Sequence, residues 1–392
     1  MKTNKKPKIA IFHAFFKGDC KGGGEKLVLQ LRNYLKADLW LGAIDTQSWS
    51  KDGKDWFNQQ AWDANYKLFY LHQDSKVKIW KQIKRQLYFL FSPMVDQLND
   101  YEMIIFSGNV GFIPRRLKNF KGKKIMYCHT PPRPISDQFG KILARFPFFL
   151  KPFIRFAKDL LVWQYKLDCK QFDLIVANSQ NIRNRLQKYC SVEANIVIPP
   201  PVDTDRFENL GQKDYYISYA RLEDLKRIKI LVEAFKRMPD KKLIVCSSGP
   251  LKDWLLEKIK TDNLKNIEYK GIVSDQELSE LVGNCIAGIY IPENEDAGIT
   301  QCEIMAAGKP VIGSNEGGLV ETIIDGKTGV LIQTLDGEKF LSDEKITQNL
   351  VQAVTQMTSK KAASMNKDCQ EQGKKYDQKF FFEKMQKVIN QN

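Results

Sequence analysis

Short, continuously apolar runs alternate along this chain with longer stretches whose apolar residues recur every three or four positions. Lys8–Phe15 (KIAIFHAF), Glu102–Phe106, Lys124–Cys128, Asp173–Ala177 and Asn195–Ile198 read as strands buried on both faces. Glu25–Leu35 places Leu27, Val28, Leu31 and Leu35 on one helical face. After the stiff stretch Pro199-Pro200-Pro201-Val202-Asp203 the alternation restarts. Strands are expected at Tyr215–Tyr219, Lys242–Cys246, Asn266–Tyr269, Ile286–Ile291 and Pro310–Ile312, and helices at Lys229–Phe235 and Asp275–Val282. Such alternation builds parallel sheets covered by helices, and 392 residues are too many for one ordinary core. The expectation is an α/β protein of two doubly wound parallel-sheet domains, residues 1–200 and 201–375. The amphipathic tail, residues 376–392, would pack back on the first.

Two loops that follow strands carry the candidate chemistry. Glu295 and Glu303 stand eight positions apart around Asp296-Ala297-Gly298, with a helix expected from about Gly298, Ile299 and Thr300. A helix start offers unpaired N–H groups and partial positive charge to a diphosphate. A carboxylate one turn further on can accept two hydroxyls of a ribose, and one before the turn can accept sugar hydroxyls. Arg221 and Lys226, after the first strand of the second half, are candidate phosphate cations. Chemistry alone leaves a plainer reading open, in which these are solvated loop and helix charges. In the first half, the glycine-rich Gly18–Gly24 precedes a helix, and His129 follows a strand directly. A flexible turn and a structural histidine beside prolines are the plain alternatives there.

Composition narrows the partners. The net charge of +15 favours anionic ones: nucleic acid, anionic lipid or phosphorylated ligands. No nucleic-acid motif is present, so nucleic acid is not expected. None of the eight cysteines forms a CxxC pair, which fits reduced thiols in a cytoplasmic protein and argues against a zinc site. Neither a signal peptide nor an apolar run long enough to span a membrane is expected. Two stretches interleave cations with aromatics, Lys76–Met94 and Phe139–Lys170. In the second, Pro147 and Pro152 preclude one straight helix. It reads either as a segment lying on a membrane surface or as a helix pair packing its aromatics in the core. Asp203-Thr204-Asp205 matches the DxD metal motif, but its place in the linker makes Asp203 a turn or cap residue.

Several motifs then combine in one order: Gly22-Gly23-Gly24-Glu25, YCHTPPR (127–133), Ala177-Asn178-Ser179, PPPVD (199–203), ARLEDLKR (220–227), Glu295 to Glu303, AAGKPVI (306–312) and GGLVE (317–321). Over nearly the whole chain this resembles the retaining glycosyltransferases of family 4, of GT-B fold, and most of all the WbaZ-like O-antigen mannosyltransferase branch. The resemblance implies two Rossmann-like domains facing a central cleft. It implies metal-independent transfer of a hexose, commonly mannose from GDP-mannose, to a membrane-linked glycan or lipid in cell-surface polysaccharide synthesis, on the inner face of the membrane. No cofactor is implied beyond the sugar-nucleotide co-substrate.

The same resemblance assigns roles. Arg221 and Lys226 would hold the diphosphate, Glu303 the ribose and Glu295 the donor sugar. The N–H groups of Gly298 and Ile299, beside Thr300, would meet phosphate or sugar. Gly23 and Gly24 would allow close approach to the phosphates, and His129 would lie near the anomeric centre. The sequence departs from the family at Ala297, where an aromatic is usual, at Gln301-Cys302, and at Pro134–Asp137. These departures bear on the donor sugar more than on the family. A family 4 transferase using a UDP-sugar, a sugar-nucleotide epimerase of the same fold, and a charge-driven binder of nucleic acid or membrane are the competing readings.

Overall fold

The computed structural model describes residues 7–16, 23–44, 66–71, 91–337 and 339–391. Gly22 and most of the basic–aromatic stretch Lys76–Met94 lie outside the described residues. The chain divides into two compact units, residues 1–198 and 199–392, so that the break falls at the triple proline and the C-terminal helix Gln378–Asn390 lies in the second unit. Its lead-in is bonded there to the linker: Val202 and Gln378 exchange backbone hydrogen bonds with Tyr376 and Val202, and Thr204 Oγ1 donates to Asp377.

The first unit is built on β1 (Ile9–His13), β2 (Asp38–Ile44), β3 (Tyr66–Leu71), β4 (Met103–Ser107), β5 (Lys123–Cys128), β6 (Leu174–Ala177) and β7 (Ile196–Val197). They form one parallel sheet in the order β3-β2-β1-β4-β5-β6-β7. β1 and β4 are buried along their whole length, which is why they read as continuous apolar runs rather than as alternation. Clusters around Phe12, Trp40 and Phe106 and around Met126, Tyr165 and Ile175 contribute to the core.

The second unit repeats the plan with β8 (Tyr216–Ser218), β9 (Leu243–Cys246), β10 (Ile267–Gly271), β11 (Gly288–Tyr290), β12 (Val311–Ser314) and β13 (Gly329–Ile332), ordered β10-β9-β8-β11-β12-β13 and parallel throughout. In both units the strand order reverses beside the first strand, between β1 and β4 and between β8 and β11. At such a switch point the loops leaving the carboxyl ends of the strands part and open a crevice for a ligand.

Three strands of the two parallel sheets escaped the sequence reading: β2, β3 and β13. Each belongs to a run broken by Gly, Asp or Lys that reads as loop until a neighbouring strand supplies its hydrogen bonds. The two prolines act as expected on Phe139–Lys170. The stretch is split into helices Phe139–Ala144 and Lys151–Cys169 around a 3₁₀ turn at Phe148–Leu150, with Pro152 in the first helical turn.

Candidate active site

In the second unit the switch point gathers most of the expected side chains. The loop after β8 ends in a 3₁₀ turn, Asp224–Lys226, and the loop after β11 carries Glu295. Lys226 Nζ donates to Glu295 Oε2 at 2.5 Å and to the Tyr290 hydroxyl at 3.0 Å. Burial works against the Lys226 charge, but Tyr290 and Glu295 outweigh it and hold the ammonium above the usual lysine range. Lys226 is thus a fixed cation. Arg221, by contrast, is 45% exposed and pairs with its neighbour Glu223 at 3.8 Å.

The helix after the acidic loop runs Thr300–Ala306 with Ile299 at its cap position, so Gly298, Ile299 and Thr300 do stand at a helix start, with Glu303 in the first turn. Glu303 accepts a hydrogen bond from the Tyr219 hydroxyl at 3.0 Å and lies 3.7 Å from Arg206. Tyr219 is kept neutral, first by burial and then by the Glu303 charge. These contacts orient the Glu303 carboxylate. Arg206 and Tyr219 were not singled out in the sequence. Arg206 lies three positions past the linker aspartate and reaches Glu303 only because the linker turns at Thr204–Arg206. Its Nε is buried with no hydrogen-bond partner among the described residues. Asp203 caps that turn positionally and accepts from Gln378.

Backbone chemistry explains the glycines. Gly298 has φ +76°, and a Cβ there would lie 2.3 Å from Gln301 Oε1. Gly317 has φ +63°, and its Cβ would meet the backbone N and O of Glu295 at 2.5 Å. Gly318 packs on Ala297 and donates its N–H to the Glu295 carbonyl at 2.8 Å. The double glycine is therefore the floor on which the Glu295 loop rests. Gln301, unusual at its position, is fully buried and donates to the carbonyls of Ala297 and Gly298 and to the Thr322 hydroxyl. It ties down the turn from beneath.

A buried ion pair braces the same loop. Arg227 has φ +52°, a left-handed conformation unfavourable for a residue that carries a Cβ. Its guanidinium meets Glu316 at 2.6 Å and donates to the carbonyls of Ile291 and Pro292. Glu316 also accepts from the Thr334 hydroxyl at 2.6 Å and from the N–H of Asn294 at 2.9 Å. Glu293 donates its N–H to the Leu225 carbonyl at 2.8 Å, joining the two loops directly.

In the first unit the carboxyl ends of β1, β4 and β5 converge on Ser107. Its hydroxyl lies 3.0 Å from His13 Nδ1 and 2.7 Å from His129 Nε2. Burial lowers the His129 pKa to about 3, helped by His13, and lowers His13 to about 4. Both rings are neutral at neutral pH. Asn178 donates to the His129 carbonyl at 2.9 Å, Ser179 caps the next helix through the Ile182 N–H, and Arg185 reaches Thr130 and Asp137. The YCHT and ANS motifs thus form one buttressed unit. The helix expected from Glu25 begins at Gly23, and Gly24 lies against His129, where a Cβ would be 3.7 Å from the imidazole.

Comparison with known proteins bears on the fold and on the class of enzyme. The Glycosyltransferase Family 4 model matches residues 61–206, and the Glycosyl transferases group 1 model matches residues 202–376. Sucrose-phosphate synthase from Thermosynechococcus elongatus superposes with a TM-score of 0.75 at 16% identity, covering 97% of this chain and 98% of that one. The fold is GT-B, and the two matched domain models together support a glycosyltransferase. The alpha-1,3/1,6-mannosyltransferase ALG2 of Dictyostelium discoideum is 26% identical over 276 residues, 59% of this chain and 63% of its own length. The GDP-mannose-dependent alpha-(1-6)-phosphatidylinositol monomannoside mannosyltransferase of Mycolicibacterium smegmatis is 26% identical over 193 residues, 42% of this chain and 50% of its own length. The chain thus spans between half and two thirds of the length of these curated relatives.

Proposed function

We propose that this protein is a retaining hexosyltransferase that moves mannose from GDP-mannose to a membrane-linked glycan or lipid acceptor, in cell-surface polysaccharide synthesis and without a metal. The observation that carries the reading is the convergence of Lys226, Glu295 and Glu303 at the β8/β11 switch point, within the residues matched by the group 1 model. Lys226 and Arg221 neutralise the diphosphate and the charge that grows on it as the glycosidic bond breaks. Glu303 takes the ribose, and Glu295 the hydroxyls of the transferred sugar. The N–H groups at Gly298 and Ile299 approach phosphate or sugar, and Thr300 opens their helix. Ala297 leaves the donor-sugar side of the loop without the aromatic common in the family.

On the acceptor side, neutral His129 offers a hydrogen bond to the transferred sugar, with Gly23 and Gly24 giving the phosphates close approach to backbone. The leaving phosphate takes the acceptor proton, so no separate base is assigned. Mannose as the sugar draws support from the two mannosyltransferase relatives. The membrane-linked acceptor, and a place on the inner membrane face, draw support from the likeness to the O-antigen branch and from the basic charge.

Thermal shift with GDP, UDP and ADP tests the base, and release of mannose from GDP-mannose tests the sugar. Stabilisation by GDP above the other two, with slow hydrolysis of GDP-mannose, is expected. Stabilisation by UDP alone would move the assignment to a UDP-sugar. Conversion of the sugar nucleotide to its epimer with no transfer would replace the reading by an epimerase.

A further inference from the structure

The helix Lys151–Cys169 carries an apolar face that the fold does not use. Phe153, Phe156, Leu160 and Trp163 follow one another at helical spacing and are 73%, 72%, 52% and 58% exposed. Phe148 and Phe149, in the turn at its amino end, continue the strip and stack edge to face at 5.8 Å. The opposite end of the helix is fixed. Tyr165 and Cys169 are buried in the cluster with Met126 and Ile175, and Asp168 pairs with Arg115 at 2.5 Å. The strip is therefore a rigid, presented surface.

Aromatics this large are seldom grouped in water without a partner. The charges around them identify which. Residues 138–167 contain Lys141, Arg145, Lys151, Arg155, Lys158 and Lys166 against a single acid, Asp159. Long cationic stems keep their charge at headgroup depth while neighbouring rings enter the acyl boundary. No helix among the described residues is long and apolar enough to cross a membrane, so such contact lies in the plane of the surface. We infer that the strip from Phe148 to Trp163 docks the first unit on an anionic lipid bilayer. The inference rests on exposure and charge and is independent of the donor assignment.

Co-sedimentation of the full chain with phosphatidylcholine vesicles, with and without phosphatidylglycerol, tests it. The protein should pellet with the mixed vesicles. A Phe148→Ser, Phe153→Ser, Phe156→Ser variant should lower the partition coefficient at least about tenfold. Changing Lys141, Arg145, Lys151 and Arg155 to Gln should weaken binding and remove most of its salt dependence. The substituted side chains are all at the surface or half-buried, and a wild-type far-UV circular dichroism spectrum and urea unfolding profile of the full chain check that both variants are folded. Failure of the wild type to pellet, undiminished pelleting of the serine variant, or equal binding to phosphatidylcholine alone would overturn the inference. So would an oligomer in sedimentation velocity that the serine variant dissociates, which would make the strip a contact between copies.

Discussion

Lys226 and Glu295 neutralise one another in the absence of ligand, and this decides how their substitution should behave. Lys226→Ala removes the ammonium that faces Glu295 and, with it, a transition-state cation. Transfer should fall by about 10²–10³-fold, with a smaller loss of nucleotide affinity, measured by comparing kcat with the thermal shift at saturating nucleotide. Wild-type rates in Lys226→Ala or Glu295→Ala would refute the assignment. Arg227 and Glu316 are a different case, since both are buried and neither is placed against the donor. Glu316→Ala strands a buried guanidinium and should cost about 3–5 kcal/mol in urea unfolding. Because Arg227 sits at φ +52°, Arg227→Gly should be more stable than Arg227→Ala by about 1 kcal/mol, although both lose the ion pair.

The histidine pair belongs to this scale too. A histidine in the unfolded chain titrates near about 6.5, whereas folded His13 and His129 titrate near 4 and 3. Between those values the unfolded chain binds more protons. Stability is therefore intact above about pH 6.5 and falls as the pH drops toward the folded values, by at most about 1.4 kcal/mol per pH unit for each ring. The two rings should contribute about equally over this window, since both folded values lie well below pH 5. The urea midpoint of His13→Asn should consequently decline less between pH 7 and pH 5 than that of the wild type, and parallel declines would exclude the pair as the cause.

At the level of elements, the functional loop is held by another loop more than by its own helix. Gly317 lies against the Glu295 backbone, and Gly318 lies against Asp296 and Ala297 and donates to the Glu295 carbonyl. Gly317→Ala should therefore displace Glu295, weaken nucleotide-sugar binding markedly and leave the sheet intact, a combination that circular dichroism and donor titration distinguish. Gly24→Ala makes the opposite case. Its methyl has room, 3.7 Å from the His129 ring, so stability should be near wild type. Any loss of transfer would then report what His129 and the helix start must approach. The two glycines look alike in the sequence, and only their neighbours separate them.

On the scale of the whole molecule, two units with separate sheets need not unfold as one. If the nucleotide binds only at the β8/β11 switch point, a concentration of about 100 times Kd should protect the second unit by about 2.7 kcal/mol. Hydrogen exchange should then slow in peptides from residues 199–392 and change little in β1–β6. Uniform protection would place the nucleotide elsewhere or couple the units more tightly than separate binding allows.

The alternation of apolar runs and helical spacing was enough to determine a doubly wound α/β chain broken at Pro199–Pro201, because strands buried on both faces leave an unmistakable local pattern. The ordered motifs were enough to select the candidate residues, since Lys226 and Glu295 stand in loops after strands and Glu303 in the first turn of the helix that follows one. What those residues touch was decided by tertiary structure alone. Arg206 meeting Glu303, Arg227 meeting Glu316 across 89 positions, and Ser107 joining two histidines 116 positions apart have no local signal, because strand order brings them together. The same holds for Phe139–Lys170. Its composition fits a buried helix pair and a surface segment equally, and only the packing of its carboxyl end against Met126 and Ile175 leaves the aromatic face outward.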